Sequence, residues 1–333
     1  MTYFIVTTLL AYCMWLLLML ISWYRIIPKD DQVTTDLKLS VIVPFRNESK
    51  NLPTLINSYN RLNQEGLTIE IIFVNDHSTD DFRQLFRQLK SSYKLVELPN
   101  ELSGKKAAIT LGVQEASGDI IVTTDADCEV RLNWLQVIHR YFQDSMVNMV
   151  FGGVTFRLGG FFDQLQLIEF APLIGTGAAS LSIGQPFMCN GANLAFRKAC
   201  FNRVNGYQGN EHIASGDDEF LLIKFKKELE GKILFVKESE AVVKTSAAPD
   251  IHTFFNQRKR WSSKWNKNIS IYKAFLAALI MLSALSTVLG FIDLLHNFNI
   301  YILTILSIKI ILEGIFIASI LHYLNSSFNI FYY

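Results

Sequence analysis

Asp119-Ile120-Ile121-Val122-Thr123-Thr124-Asp125-Ala126-Asp127 is the stretch on which the reading of this chain turns. A short apolar run bounded by polar residues has the length and composition of a buried strand. It ends in two carboxylates one residue apart. Burying a charge is costly unless it is paired or bound to metal, so the pair marks the point where the strand leaves the core. Oxygen-only ligands suit a hard divalent cation, Mg²⁺ or Mn²⁺, and Mg²⁺ is commonly held by one or two carboxylates plus substrate phosphates. The competing reading is a solvated turn, and the surrounding sequence has to discriminate between the two.

Working outward, residues 37–43 form a short apolar strand halted by Pro44. A helical pattern over 50–62 follows, then a strand at 69–74 and a helix containing Phe82, Leu85, Phe86 and Leu89, capped by Ser78 or Thr79. Further along come a strand at 94–98, a helix at 105–116, a strand at 120–124 and a helix at 132–142. This alternation predicts an α/β fold with a mainly parallel sheet covered on both faces. Ligands of such sheets bind beyond the carboxyl ends of the strands, where Asn75-Asp76 and Asp125-Ala126-Asp127 both fall. The loop after the first strand, Pro44-Phe45-Arg46-Asn47-Glu48, has no glycine-rich fingerprint, which disfavours dinucleotide oxidoreductases and P-loop enzymes. The second half is less regular. It offers a strand at 194–196, a helix at 218–229, a strand at 233–236 and a helix at 250–266.

The 333 residues are half hydrophobic and include 25 Phe, a balance that points to membrane contact. Residues 3–24 carry no charge and are long enough to span a bilayer, as are 274–292 and 300–321. No basic residue precedes the first span and no small-x-small site follows it, which argues against a cleaved signal peptide. Arg25 and Lys29 follow that span, while Arg258, Lys259, Arg260, Lys264, Lys267 and Lys273 precede the second. The opposite flanks lack Lys and Arg, so the positive-inside rule puts the globular part in the cytoplasm and the amino terminus outside. The expected organisation is a transmembrane helix over 1–27, a cytoplasmic domain over 28–268 and a carboxyl-terminal region with two transmembrane helices over 269–333, in the cell membrane. Residues 161–183 are too polar to span and too apolar for a free surface; an interfacial helix and a core helix both fit. A net charge of +1 gives no footprint for nucleic acid. Cys13, Cys128, Cys189 and Cys200 lack C-x-x-C pairing and read as reduced thiols.

Three further constellations carry chemistry. Asp76, at the end of the second strand, can accept hydrogen bonds from a base or ribose. Gly216-Asp217-Asp218-Glu219 sets three acids at a helix start, more than capping requires, and suits a general base. In Gln257-Arg258-Lys259-Arg260-Trp261, helical spacing puts Gln257, Arg260 and Trp261 on one face, extended by Trp265. An aromatic plate with a guanidinium and an amide matches a sugar or diphosphate. Arg258 and Lys259 are assigned a plainer role beside the membrane. Within the last span, Lys309 and Glu313 stand four residues apart, either lining a water path or pairing against another helix.

In chain order, Val43-Pro44-Phe45-Arg46-Asn47-Glu48, Asp76, Asp125-Ala126-Asp127, Asn190-Gly191-Ala192-Asn193-Leu194-Ala195-Phe196-Arg197, Asp217-Asp218 and Gln257-x-x-Arg260-Trp261 resemble family 2 glycosyltransferases of the GT-A fold. The resemblance runs over about residues 37–268 and is to the Q-x-x-R-W subset, which includes cellulose, chitin and hyaluronan synthases and ceramide glucosyltransferases. It implies a Rossmann-like fold and a nucleotide-sugar donor, a UDP-sugar. Pro44, Arg46, Glu48 and Asp76 would surround the uridine, with Lys105 nearby. Asp125 would contact the nucleotide or sugar, and Asp127 would ligate Mn²⁺ or Mg²⁺ with Asp125 beside it. Asp218 would take the acceptor proton, with Asp217 as the alternative base, while Gln257, Arg260 and Trp261 close over donor and acceptor. The family's D-D-x-S is Asn75-Asp76-His77-Ser78 here, and its Glu-Asp pair is Asp217-Asp218. The implied reaction is an inverting single displacement. Three spans favour a lipid acceptor taking one sugar over a glycan acceptor extended by a processive synthase. A catalytically silent membrane scaffold is the remote alternative, disfavoured because the carboxylates are all present.

Overall fold

The computed structural model of the protein describes residues 1–29, 35–87, 93–211, 216–262 and 271–324. After α1 (Thr2–Arg25), the expected alternation follows: β1 (Leu39–Phe45), α2 (Leu52–Asn60), β2 (Ile69–Asn75), α3 (Arg83–Phe86), β3 (Tyr93–Glu97), α4 (Lys105–Glu115), β4 (Ile120–Thr123) and α5 (Trp134–Tyr141). The second half adds β5 (Val147–Gly152), β6 (Val154–Arg157), α6 (Phe161–Ser182), β7 (Leu194–Arg197), α7 (Lys198–Arg203), α8 (Asp217–Glu228), β8 (Lys232–Val236), β9 (Val243–Ser246), α9 (Ile251–Ser262), α10 (Ile271–His296) and α11 (Ile300–Tyr323).

Seven strands form one sheet in the order β3-β2-β1-β4-β7-β5-β8. Only β7 runs antiparallel to its neighbours, β4 and β5. β6 and β9 pair in parallel as a small second sheet. Every residue of β1, β4 and β5 is buried, as strands covered on both faces require. The mainly parallel α/β architecture is therefore the one the sequence predicts.

Local differences have physical causes. Pro44 does not halt β1 but lies within it. Phe45 accepts from Asp76 N on the β2 side, and Ile42 accepts from Thr124 N on the β4 side. By alternation the missing N–H of Pro44 faces the β4 side, where pairing has already ended at Ile42–Thr123. Ser78 and Thr79 do not cap α3, whose N-cap position is Phe82. Their groups instead bind Asn47 across the sheet end: Asn47 N donates to Ser78 Oγ at 2.9 Å, and Thr79 N donates to Asn47 Oδ1 at 2.8 Å. α3 ends at Phe86, and Leu89 lies outside the described residues. Helix α9 ends at Ser262 among the described residues; Lys264, Trp265 and Lys267 lie outside them. None of the four cysteines forms a disulfide.

Helices α1, α10 and α11 are each long and apolar enough to cross a membrane. α1 packs against α10 and α11, and α6 packs against α1 and α11. Small residues permit that approach: a Cβ on Gly175 of α6 would lie 2.1 Å from Ile320 Cδ1. So α6 is a packed element whose buried side includes Gln166, Leu167, Phe170 and Ala171, while Phe161 and Leu165 of the same helix are exposed. Lys309 and Glu313 pair with each other at 2.8 Å, and Tyr12 on α1 donates to Glu313 Oε1 at 2.8 Å. The pair thus packs against a neighbouring helix. The helices and the sheet share a core: Trp23 meets Phe235 at a tilt and Tyr323 edge-on, and Tyr323 Oη donates to Val236 O at 2.8 Å.

Candidate active site

The carboxyl ends of β1, β2 and β4 converge on one side of the sheet, and two strained turns shape the rim. Asn47 (φ 58°) and His77 (φ 56°) adopt left-handed backbone that non-glycine residues rarely use, each just past a strand end. The Asn47 clasp with Ser78 and Thr79 holds these two turns together. The first position of the family's D-D-x-S is occupied by Asn75 for a visible reason. Its amide donates to Glu97 on β3 while its Oδ1 accepts from Ser78 N at 2.9 Å. An aspartate there would face Glu97 charge to charge.

Asp76 is buried, and its Oδ2 accepts from Gly104 N at 3.0 Å. Gly104 turns at φ 92°, a conformation open to glycine, and delivers the chain into α4 so that Lys105 is its first residue. Asp76 Oδ1 is buried with no hydrogen-bond partner among the described residues. His77 Nε2 stands 4.0 Å from it.

A cavity of about 590 Å³ opens beside these ends. Its wall brings together Pro44, Arg46 and Glu48 from the first loop, Lys105, Asp125 and Asp127, Asp217 and Asp218, and Gln257, Arg260 and Trp261. Asp76 is not part of that wall. The sites expected from widely separated motifs therefore meet in one cleft, apart from that residue.

Within the cleft, Lys105 Nζ donates to Asp125 Oδ1 at 2.5 Å and lies 3.6 Å from Asp217. Burial would lower the Lys105 ammonium, but Asp125, Asp217 and Asp218 outweigh it and hold the group well above its ordinary value. Asp127 Oδ2 accepts from Thr245 Oγ1 at 2.8 Å, and its carbonyl accepts from Arg157 at 2.9 Å. Burial, then the charge of Asp125, raises the Asp127 carboxyl. Burial also raises Glu48, and Asp127 and Asp125 push in the same direction against a hydrogen bond from Asn51. Negative charge is crowded here. Gly216 (φ 75°) starts α8, and Asp218 in its first turn accepts from Gly191 N at 3.1 Å.

No group of three or more His, Cys, Asp or Glu with metal-holding geometry occurs among the described residues. The donors nevertheless fit a hard cation whose other ligands come from substrate: Asp125 and Asp127 offer oxygen only, and the charge of Asp125 helps to raise the Asp127 carboxyl.

Several contributors were missed by the sequence reading. Thr245 on β9 and Arg157 on β6 steady Asp127 from a small sheet that reading did not anticipate. The second departure concerns Arg258. It does not serve merely as a basic flank: its Nε donates to Glu169 on α6 at 3.0 Å and its Nη1 to Gln257 Oε1 at 2.7 Å. The apolar end of the cleft, formed by Phe170, Leu173, Ile174 and Gly177 of α6 with Met188, is a further surprise. Its signal was the apolar content of residues 161–183 beside scattered polar groups.

Residues 40–204 match the family model described as Glycosyl transferase family 2. The chain thus carries a glycosyltransferase family 2 domain. It is 28% identical over 120 residues to the glycosyltransferase AglE of Haloferax volcanii, a match covering 35% of this chain and 40% of that one. It is 38% identical over 95 residues to a dolichol-phosphate mannosyltransferase of Pyrococcus furiosus, covering 28% and 26% respectively. The chain therefore spans less than half the length of these curated relatives. The mannosyltransferase PcManGT from Pyrobaculum calidifontis, solved with GDP-Man and Mn²⁺, superimposes with a TM-score of 0.61 at 17% identity, over 95% of this chain and 97% of that one. That likeness establishes the GT-A fold. The family match ends before Asp217, Asp218 and the Gln257–Trp261 motif.

Proposed function

We propose that the protein is a membrane-bound inverting glycosyltransferase of the Q-x-x-R-W subset, moving one sugar from a UDP-sugar to a lipid acceptor. The observation that carries this reading is the two-ended cleft. One end is lined by Arg46, Lys105 and the carboxylates, chemistry suited to a nucleoside diphosphate; the other is an apolar wall on α6. Its organisation is a membrane anchor over 1–27, a cytoplasmic catalytic domain over 28–268 and a membrane region over 269–333, supported by the three apolar helices and their basic flanks.

Pro44, Arg46 and Glu48 face the nucleoside from the cleft wall, and Asp76, assigned to it as well, stands behind that wall bonded to Gly104 N. Asp125 contacts the nucleotide or sugar and, with Asp127, would hold Mn²⁺ or Mg²⁺. Such an ion, when bound, offsets charge building on the leaving diphosphate. Arg260 donates to the diphosphate oxygens, and Gln257 and Trp261 close over donor and acceptor. Asp218 accepts the acceptor proton; Asp217 is less suited because its carboxylate is engaged by Lys105, whose Nζ stands 3.6 Å from Oδ2. A base at Asp218 implies a hydroxyl as the acceptor group, since a phosphate needs no base. That separates this reading from the dolichol-phosphate chemistry in the name of the Pyrococcus relative.

The test begins with a screen of UDP-sugars for Mn²⁺-dependent transfer in membranes, read as labelled product. A single lipid-migrating species is expected, and a ladder or polymer would turn the reading to a processive synthase. Asp218→Asn should lower transfer by about 10²-fold or more, the usual reach of general base catalysis, with UDP binding within a few fold. Transfer that survives the substitution removes Asp218 as base and brings back a phosphate acceptor, which is nucleophilic without one.

A further inference from the structure

We propose that Arg258 is a positioning residue for the reaction, the part that holds Gln257 and Trp261 of α9 in register with α6. This rests on the proposed role of Gln257, Arg260 and Trp261 over the donor. The sequence reading gave Arg258 only a plain role beside the membrane, although three residues separate it from Trp261, a spacing that makes the two neighbours on a helix.

The geometry assigns each part of the guanidinium a partner. Nε donates to Glu169 Oε1 and Oε2 at 3.0 and 3.1 Å, and Nη2 donates to the same carboxylate, so the fork grips α6. Nη1 donates to Gln257 Oε1 at 2.7 Å, fixing which way that amide points. The guanidinium carbon sits 4.2 Å from the centroid of the Trp261 ring and 4.5 Å from that of Phe254. Trp261 in turn lies 5.7 Å from Phe170, the neighbour of Glu169 on α6. One side chain therefore ties two motif residues to the apolar wall of the cleft.

A planar fork can do this and an ammonium cannot. Lysine would keep a charge beside Glu169 but could not bond Glu169 and Gln257 in fixed directions while lying flat on Trp261. Both motif residues would then be free to turn. A misplacement of about 1 Å in a reacting constellation costs on the order of 10²-fold in rate. The nucleoside end, built on β1 and β2, is separate from this linkage.

The experiment compares Arg258→Lys with Lys259→Met, a neighbouring cation outside the linkage, in the full-length protein in detergent. Trp261 is read as the fluorescence difference between each protein and its Trp261→Phe counterpart. Arg258→Lys is expected to shift that signal and to raise its quenching by acrylamide, with UDP affinity and melting temperature little changed. With the UDP-sugar found by the screen, kcat should fall by about 10- to 100-fold and the donor KM by less than threefold. Lys259→Met should alter neither signal nor rate. A Trp261 signal unchanged in Arg258→Lys overturns the proposal, as does a rate loss fully matched by lost folded protein. If no UDP-sugar is turned over by any form, the Trp261 signal still decides Arg258, and the failure belongs to the assigned donor.

Discussion

Gly175→Ala probes the coupling between the apolar helices and the cleft. The added Cβ would sit 2.1 Å from Ile320 Cδ1, 2.8 Å from Ile320 Cγ1 and 3.0 Å from Phe316 Cζ. Ordinary contact begins at 3.4 Å, so Ile320 Cδ1 must give way by about 1.3 Å. Ile320 is fully buried and Phe316 nearly so, which leaves neither much room to swing aside. Overpacking of this kind costs about 1–3 kcal/mol. The displacement also moves α6, which carries Glu169 and Phe170, so transfer should fall by roughly 10²-fold per ångström transmitted to the cleft. Ile320→Ala alone leaves a cavity and costs about 2–5 kcal/mol. In the double variant the alanine methyl enters that space, and the two effects should fall short of their sum by about 0.5–3 kcal/mol. Thermal unfolding of purified protein in detergent, with UDP-sugar turnover alongside, measures both. Additive losses, or a Gly175→Ala protein that melts and turns over like wild type, would refute the α6–α11 packing and its link to the site.

Two further outcomes follow from the charges. Asn75→Asp sets a carboxylate against Glu97 in a buried position, so melting should drop by the equivalent of about 1–3 kcal/mol; adding Glu97→Gln should recover most of it, and an unchanged melt for the single variant sinks the account of this departure from D-D-x-S. Asp127 has a folded pKa raised first by burial and then by Asp125, so its stabilising contribution is complete below the ordinary Asp value of about 3.9 and is lost as pH rises through the folded value. In metal-free buffer Asp127→Asn should therefore melt above wild type at neutral pH and level with it in acid, while Mn²⁺ raises the wild-type melt alone; a variant that melts lower at neutral pH refutes the crowding.

What the sequence made legible follows from periodicity and from strand ends. The alternation through Ile120–Thr123 marked the parallel half of the sheet, and carboxylates at strand ends marked the cleft, because neither signal depends on distant parts of the chain. β5 escaped because Val147–Gly152 is buried throughout, Asn148 included, and such a run has no alternation to separate strand from helix. β6 and β9, four residues each, exist through their pairing with one another across the length of α6, α8 and β8. The role of Arg258 was hidden for a similar reason: its partner Glu169 is 89 positions away. Thr245 beneath Asp127 shares that origin, a contact 118 positions long.

The remaining long-range contacts explain why the apolar helices and the α/β domain behave as one body. Glu219, next to Asp218 in the first turn of α8, pairs with Lys273 in the first turn of α10, and Lys273 is only 3% exposed. Tyr272 beside it shares a hydrogen bond with Ser180 of α6 at 2.9 Å. Burying an ion pair is seldom a net gain in stability, because desolvation offsets most of the attraction; what it does supply is a fixed geometry. Here the geometry joins the helix bearing the proposed base to the start of a proposed membrane span, and the same dipeptide joins that span to the apolar wall of the cleft. An acceptor held by its lipid chain in the bilayer has its hydroxyl at a set depth. A base tethered to the span by Glu219–Lys273 would stand at a set depth too, which aligns the two without a mobile acceptor domain.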